Sequence, residues 1–127
     1  MGTTLAAAAG IRNPAVGFVS MRITYIGHAT LLLELGGAKI LTDPNFDPKL
    51  GRILPRVSAP GIALDKLPLL DAVLLTHAHA DHLSFDSLER LPRDIPLYAP
   101  PVIARQYPAT VESPSCGTTR PRSENIE

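Results

Sequence analysis

Residues 71–83 read DAVLLTHAHADHL. The first six form a compact apolar run, the pattern of a strand covered on both faces. Three of the chain's four histidines, His77, His79 and His82, follow at once, with Asp81 among them. In extended chain alternate side chains point the same way, so His77, His79 and Asp81 line one side, and His82 swings alongside as the chain turns. The small residues Ala78 and Ala80 leave room for ligands. Neutral imidazoles and a carboxylate suit Zn²⁺, Fe or Mn, and Thr76 at the strand end is placed to support them. A single histidine is ordinarily an exposed or helix-capping residue. Three of them with an aspartate, between a buried strand and a helix, point instead to metal binding.

Upstream of this stretch, MRITYIG (21–27) alternates, with Met21, Ile23 and Tyr25 on one side and Arg22, Thr24 and Ile26 on the other, which predicts a strand. ATLLLEL (29–35) and AKILTD (38–43) are joined by Gly36-Gly37, a hairpin signal, because a tight primed turn needs positive φ at both central positions. Pro44 ends the third strand. Residues 44–61 hold four prolines and two glycines and form a long loop of the kind that borders active sites. Residues 62–70 read as a short helical or irregular connection. Downstream, Ser84 can cap a helix through about Arg90, since its hydroxyl accepts a backbone N–H that the first turn leaves unpaired. Pro92 stops that helix. PLYA (96–99) reads as a short strand, and Pro100-Pro101 opens a helix through about Gln106.

The two ends differ in character. Residues 1–20 contain LAAAAG but no Lys or Arg before it, and Arg12, Asn13 and Pro14 soon break the run, so the segment reads as a disordered leader rather than a signal peptide, with Met21 as an alternative start. Residues 107–127 are poor in large apolar side chains and read as a disordered tail. The structured unit is expected over residues 21–106. The whole has 127 residues, 45 % apolar and 19 % charged, with zero net formal charge. Bulk charge therefore argues against a nucleic-acid or anionic-membrane binder. No apolar run approaches the roughly 20 residues of a membrane span. The lone Cys116 excludes an internal disulfide, so nothing points to an oxidising compartment and a cytoplasmic setting is expected.

With the strand before it and the helix after it, THAHADHL resembles the H-x-H-x-D-H signature of the metallo-β-lactamase superfamily. ITYIGHATLLLEL, ILTDPNF and LPLLDAVLLTHAHADHL resemble in particular the branch that contains ascorbate-6-phosphate lactonase and N-acyl-phosphatidylethanolamine phospholipase D. The resemblance covers about residues 21–106. It implies an α/β (α+β) chain, the N-terminal half of an αββα sandwich with a mostly antiparallel or mixed sheet, flanking helices and a two-metal site at one edge. By that match His77 and His79 belong to the first metal and Asp81 and His82 to the second. Asp43 in LTDP matches an aspartate that orients a ligand imidazole by accepting its other N–H; read without the match, it is a turn residue before proline. For His28 in GHAT two readings stand: it faces the site, or it packs as a structural histidine.

The chemistry expected of a complete site is hydrolysis. Two metals about 3.5–4 Å apart share a water and lower its pKa towards 7, and the resulting metal-bound hydroxide attacks a carbonyl or phosphorus centre. Asp81 is the expected catalytic carboxylate, ligating and orienting that water. Zinc is the first choice, with manganese open in the lactonase branch. The substrate is a small molecule or phosphodiester, with an ester, lactone, amide or phosphodiester bond to be cleaved.

The resemblance also implies further ligands. A catalytic zinc keeps three protein ligands and a water, whereas the motif offers two for each metal and no histidine follows His82. The strands carry apolar side chains on both faces. Leaving several hundred Å² of one face uncovered forfeits on the order of 10 kcal/mol at about 25 cal/mol per Å², the scale of a whole domain's stability. The sequence thus predicts a C-terminally truncated fragment, marginally folded or homo-oligomeric, and it keeps open a catalytically inactive chain with an incomplete metal site.

Overall fold

Alternation in MRITYIG is realised as a strand whose two faces meet different surroundings. The computed structural model of the chain describes residues 5–13, 17–51 and 53–106; the tail expected over 107–127 lies outside the described residues. The strands of the main sheet are β1 (Leu5–Asn13), β2 (Gly17–Gly27), β3 (Thr30–Leu35) and β4 (Ala38–Thr42). A two-strand ribbon, β5 (Lys49–Leu50) and β6 (Leu54–Pro55), lies in the long loop, and a single 3₁₀ turn spans Leu64–Lys66. Then come β7 (Ala72–Leu74), α1 (Phe85–Glu89), β8 (Leu97–Tyr98) and α2 (Pro101–Gln106). The main sheet has six strands in the order β1-β2-β3-β4-β7-β8. Its first four strands are antiparallel, and β4, β7 and β8 run parallel. This is the mixed α+β arrangement expected of the chain.

The turn between β3 and β4 is the one predicted from Gly36-Gly37: φ is 55° at Gly36 and 89° at Gly37, values open to glycine at little cost. It sets the register Leu33↔Ile40 and Leu31↔Thr42. Parallel pairing then places Val73 beside both Leu41 and Leu97.

One face of the sheet is closed. Ile26, Leu32, Leu41, Val73 and Leu97 project from it and are buried with Leu88 of α1, Leu91, Ile95 and Ile103 of α2. The helix start is the one predicted: Ser84 caps α1, its hydroxyl accepting the backbone N–H of Ser87. The opposite face carries Met21, Ile23, Leu31, Leu33, Ile40 and Leu74, all only partly buried, with Tyr25 and Leu35 exposed. Coverage on both faces, expected for DAVLLT, is therefore met on one. Val73 and Leu75 are buried, whereas Ala72 and Leu74 stay partly open because no described element packs over them.

The structure runs a strand through residues 5–13, where the sequence predicts a leader without regular structure. β1 pairs with β2 from Leu5↔Tyr25 to Asn13↔Gly17. LAAAAG has no period-two pattern to announce a strand. The pairing is made between main chains, and β2 supplies the template. Among the described residues no helix is long and apolar enough to cross a membrane.

Candidate metal centre

The site begins where the central ladder stops. The backbone N–H of Asp43 donates to Leu74 O at 2.8 Å, carrying the β4–β7 pairing one step past the end of β4. The Asp43 carboxylate then captures Thr76, taking its backbone N–H on Oδ1 at 2.7 Å and its hydroxyl on Oδ2 at 2.6 Å. With that amide engaged by a side chain, the strand cannot continue. Residues 77–79 leave it, and a turn follows in which the N–H groups of His82 and Leu83 both reach His79 O. The sequence reading placed His77, His79 and Asp81 along one side of an extended chain, with His82 swinging alongside at the turn; in the structure the turn spans His79 to Leu83. The ring centroids of His77 and His82 are 3.8 Å apart and those of His77 and His79 4.5 Å.

Hydrogen-bond direction fixes the imidazoles. His82 Nδ1 lies 3.0 Å from Asp43 Oδ2. A carboxylate only accepts, so Nδ1 carries a proton, and in the neutral imidazole Nε2 presents a lone pair. Thr76 gives its one hydroxyl proton to Asp43, so it accepts from His77 Nδ1 at 2.8 Å, and His77 Nε2 is bare as well. The chain thus holds two imidazoles in the tautomer that binds metal. His82 Nε2 stands 3.4 Å from Asp81 Oδ2. Positive charge satisfies that pair, as a proton on Nε2 or as a divalent cation between the two atoms, and neutral imidazoles with a carboxylate suit the latter.

His28 reaches the same carboxylate from a different part of the chain. It sits in the turn after β2, beyond an irregularity between Tyr25 and Gly27, with φ at 53°. Its Nε2 lies 2.7 Å from Asp81 Oδ2. His28 is exposed, with its ring beside the Asp81 carboxylate. Desolvation pushes the Asp81 carboxyl up, but the His28 hydrogen bond, its own backbone N–H and the neighbouring His82 and His28 charges prevail and hold it below the ordinary carboxylate value.

Two groupings bring potential ligand atoms within 4.8 Å of one another: His28, Asp81 and His82; and Asp43, His77 and His82. Asp43 is 3 % exposed, and its oxygens already accept from Thr76 twice and from His82 once. It is therefore placed to orient imidazoles rather than to ligate. His79 is exposed and meets the ring of His77, but it belongs to neither grouping.

Three supporting residues went unnoticed in the sequence. Asn45, 1 % exposed, donates from Nδ2 to the backbone carbonyl of Asp81 at 2.9 Å. Thr30 accepts the Asn45 N–H and donates to the Asp43 carbonyl. The Arg56 guanidinium donates to the carbonyls of Asn45 and Asp47, and its burial lowers its pKa against the opposing pull of Asp47 and Tyr25. The only sequence signal was position: Asn45 follows Asp43-Pro44, and Thr30 lies two residues after His28.

A family model described as a beta-lactamase superfamily domain matches residues 38–120. An N-acyl-phosphatidylethanolamine-hydrolyzing phospholipase D of Caenorhabditis elegans is 38 % identical over 74 residues, 54 % of this chain and 20 % of that protein. A metal-dependent hydrolase of Aeropyrum pernix is 37 % identical over 62 residues, 49 % of this chain and 22 % of its own length. Among solved structures, an isothiocyanate hydrolase from Delia radicum gut bacteria superposes with a TM-score of 0.59 at 27 % identity, covering 72 % of this chain and 41 % of that one. The chain spans about a fifth to a quarter of the length of the curated relatives it matches.

Proposed function

The chain belongs to the beta-lactamase superfamily, whose domain model covers residues 38–120, and on that premise we propose that it works as a metal-dependent hydrolase of an ester, lactone or phosphodiester bond. The observation that carries the reading is the relay from Asp43 through Thr76 to His77, and from Asp43 to His82, which engages Nδ1 of both rings and leaves Nε2 of the neutral imidazoles for a metal.

In this reading His77, His79, Asp81 and His82 are the metal ligands, while Asp43 and His28 hold them from behind. Zinc is the first choice and manganese the second, two ions to a complete site. Held there, divalent cations supply Lewis acidity and an activated water. The chain's own groups do the rest. Asp81 is the catalytic carboxylate: it accepts a proton from the attacking water while the His28 hydrogen bond fixes its orientation. Asp43 keeps His77 and His82 from turning their protonated nitrogens inward. The substrate is a small molecule or a phosphodiester. The reading includes a cytoplasmic setting and allows a homo-oligomer.

A second reading is favoured by one observation: His79 stands outside both groupings of ligand atoms. In that reading the centre is incomplete and the polypeptide holds metal weakly, without turnover. Metal content after dialysis, with hydrolysis of a panel of phosphodiesters and lactones, separates the two. About two tightly held metals per chain with chelator-sensitive turnover supports the hydrolase. A metal-free chain with no turnover supports the second reading and removes the first.

A further inference from the structure

One short segment, Asp43-Pro44-Asn45, touches both halves of the histidine loop. Asp43 holds the His77 and His82 side through Thr76 and His82 Nδ1. Asn45 holds the Asp81 side through the main chain, its Nδ2 donating to Asp81 O at 2.9 Å across 36 positions of sequence. The amide of Asn45 is otherwise satisfied, since its Oδ1 accepts the Asp47 N–H at 3.1 Å. Its backbone is fixed from two sides, by Thr30 Oγ1 on the N–H and by the Arg56 guanidinium on the carbonyl. Arg56 is itself anchored to Asp47 O at 2.6 Å, and it fills the space beside Gly27, where an added Cβ would come within 3.1 Å of Nη1. Gly27 directly precedes His28. The same brace therefore borders both residues that meet at the 2.7 Å His28–Asp81 contact.

We infer that Asn45, seated by Arg56, is a positioning residue that sets where the Asp81 carboxylate stands against His28 and His82. The inference rests on the metal-centre reading above and adds to it a residue that carries no ligand chemistry of its own. A buried side-chain amide can donate to a carbonyl without charge, so it fixes the main chain of Asp81 and leaves its carboxylate free for a cation. An aspartate at the same place keeps the shape and the acceptor for Asp47 N–H but loses the donor.

The experiment measures zinc affinity of the full chain by competition with a chromogenic chelator, and the visible spectrum of the cobalt-loaded protein at saturating cobalt. Asn45→Ala and Asn45→Asp are each expected to weaken zinc binding ten- to a hundredfold, the range for outer partners of metal ligands, and to shift the cobalt bands. Leu41→Ala, a core truncation that removes none of the loop's hydrogen bonds, serves as the control at a temperature where it stays folded: it lowers the urea midpoint and leaves affinity and spectrum as in the wild type. Where the Asn45 variants fail to fold, Arg56→Gln carries the test, with a smaller loss in the same direction. Asn45 or Arg56 variants that lose stability yet keep affinity and spectrum, as Leu41→Ala does, overturn the inference alone. A wild-type chain that holds no zinc overturns the metal-centre reading and this inference with it.

Discussion

His82 Nδ1 donates to Asp43 Oδ2 over 3.0 Å, joining residues 39 positions apart. The carboxylate is buried and accepts three hydrogen bonds, two of them from Thr76, so it links the end of β4 to the whole histidine loop. Asparagine at position 43 brings an NH₂ group against donors that need an acceptor. Asp43→Asn is therefore expected to destabilise the metal-free chain by about 1–3 kcal/mol, read as a lower urea midpoint. It is expected to weaken zinc binding about ten- to a hundredfold. An unchanged urea midpoint would mean that the shared carboxylate does not hold the loop.

The His28–Asp81 contact carries a pH signature in the metal-free chain. Folding lowers the Asp81 pKa despite desolvation, so the folded state binds that proton less tightly than the unfolded one. The contribution to stability is thus present above the unfolded value of about 4 and is lost as pH falls through the lower folded value. Because the pair is about one-third exposed, its size is about 0.2–1 kcal/mol. His28→Ala should lower stability by about that amount at neutral pH and flatten the curve below about pH 4, where the two proteins converge. A variant curve parallel to the wild type through that window would separate Asp81 from His28.

Much of this was legible in the sequence because the signals are local. Gly36-Gly37 named its own turn, Ser84 its cap, and DAVLLT its strand, with the histidine loop directly after it. Asp43 was legible only through family resemblance, since an aspartate before proline is also an ordinary turn residue. What stayed hidden depends on contacts between distant segments. Nothing within LAAAAG predicts a strand, because the partner that makes it one is β2. Asn45 and Arg56 look like ordinary loop residues until the fold sets Asp81 and Gly27 beside them.

Leu41 tests how close the fold stands to its limit. It is fully buried on β4, the strand that joins the antiparallel and parallel parts of the sheet. Truncation to alanine removes about 2–5 kcal/mol. The opposite sheet face stays partly open, so that loss is a large share of what a small domain has. Circular dichroism should show Leu41→Ala largely unfolded at 37 °C, or folded at room temperature with a much lower urea midpoint. A change of only a few tenths of a kcal/mol would place the core elsewhere.

His82 is the side chain that both groupings of ligand atoms share, so the consequences of losing it should exceed those of losing any other histidine. A cation that binds only the folded chain stabilises it by about 2.7 kcal/mol at one hundred times its dissociation constant. Zinc at that level should raise the unfolding midpoint of the wild type, and a chelator should reverse the rise. His82→Ala should abolish the increment. His79→Ala should keep part of it, because His79 lies outside both groupings although its ring touches His77. If His82→Ala gains as much from zinc as the wild type does, the cation is held somewhere other than between His82 and Asp81.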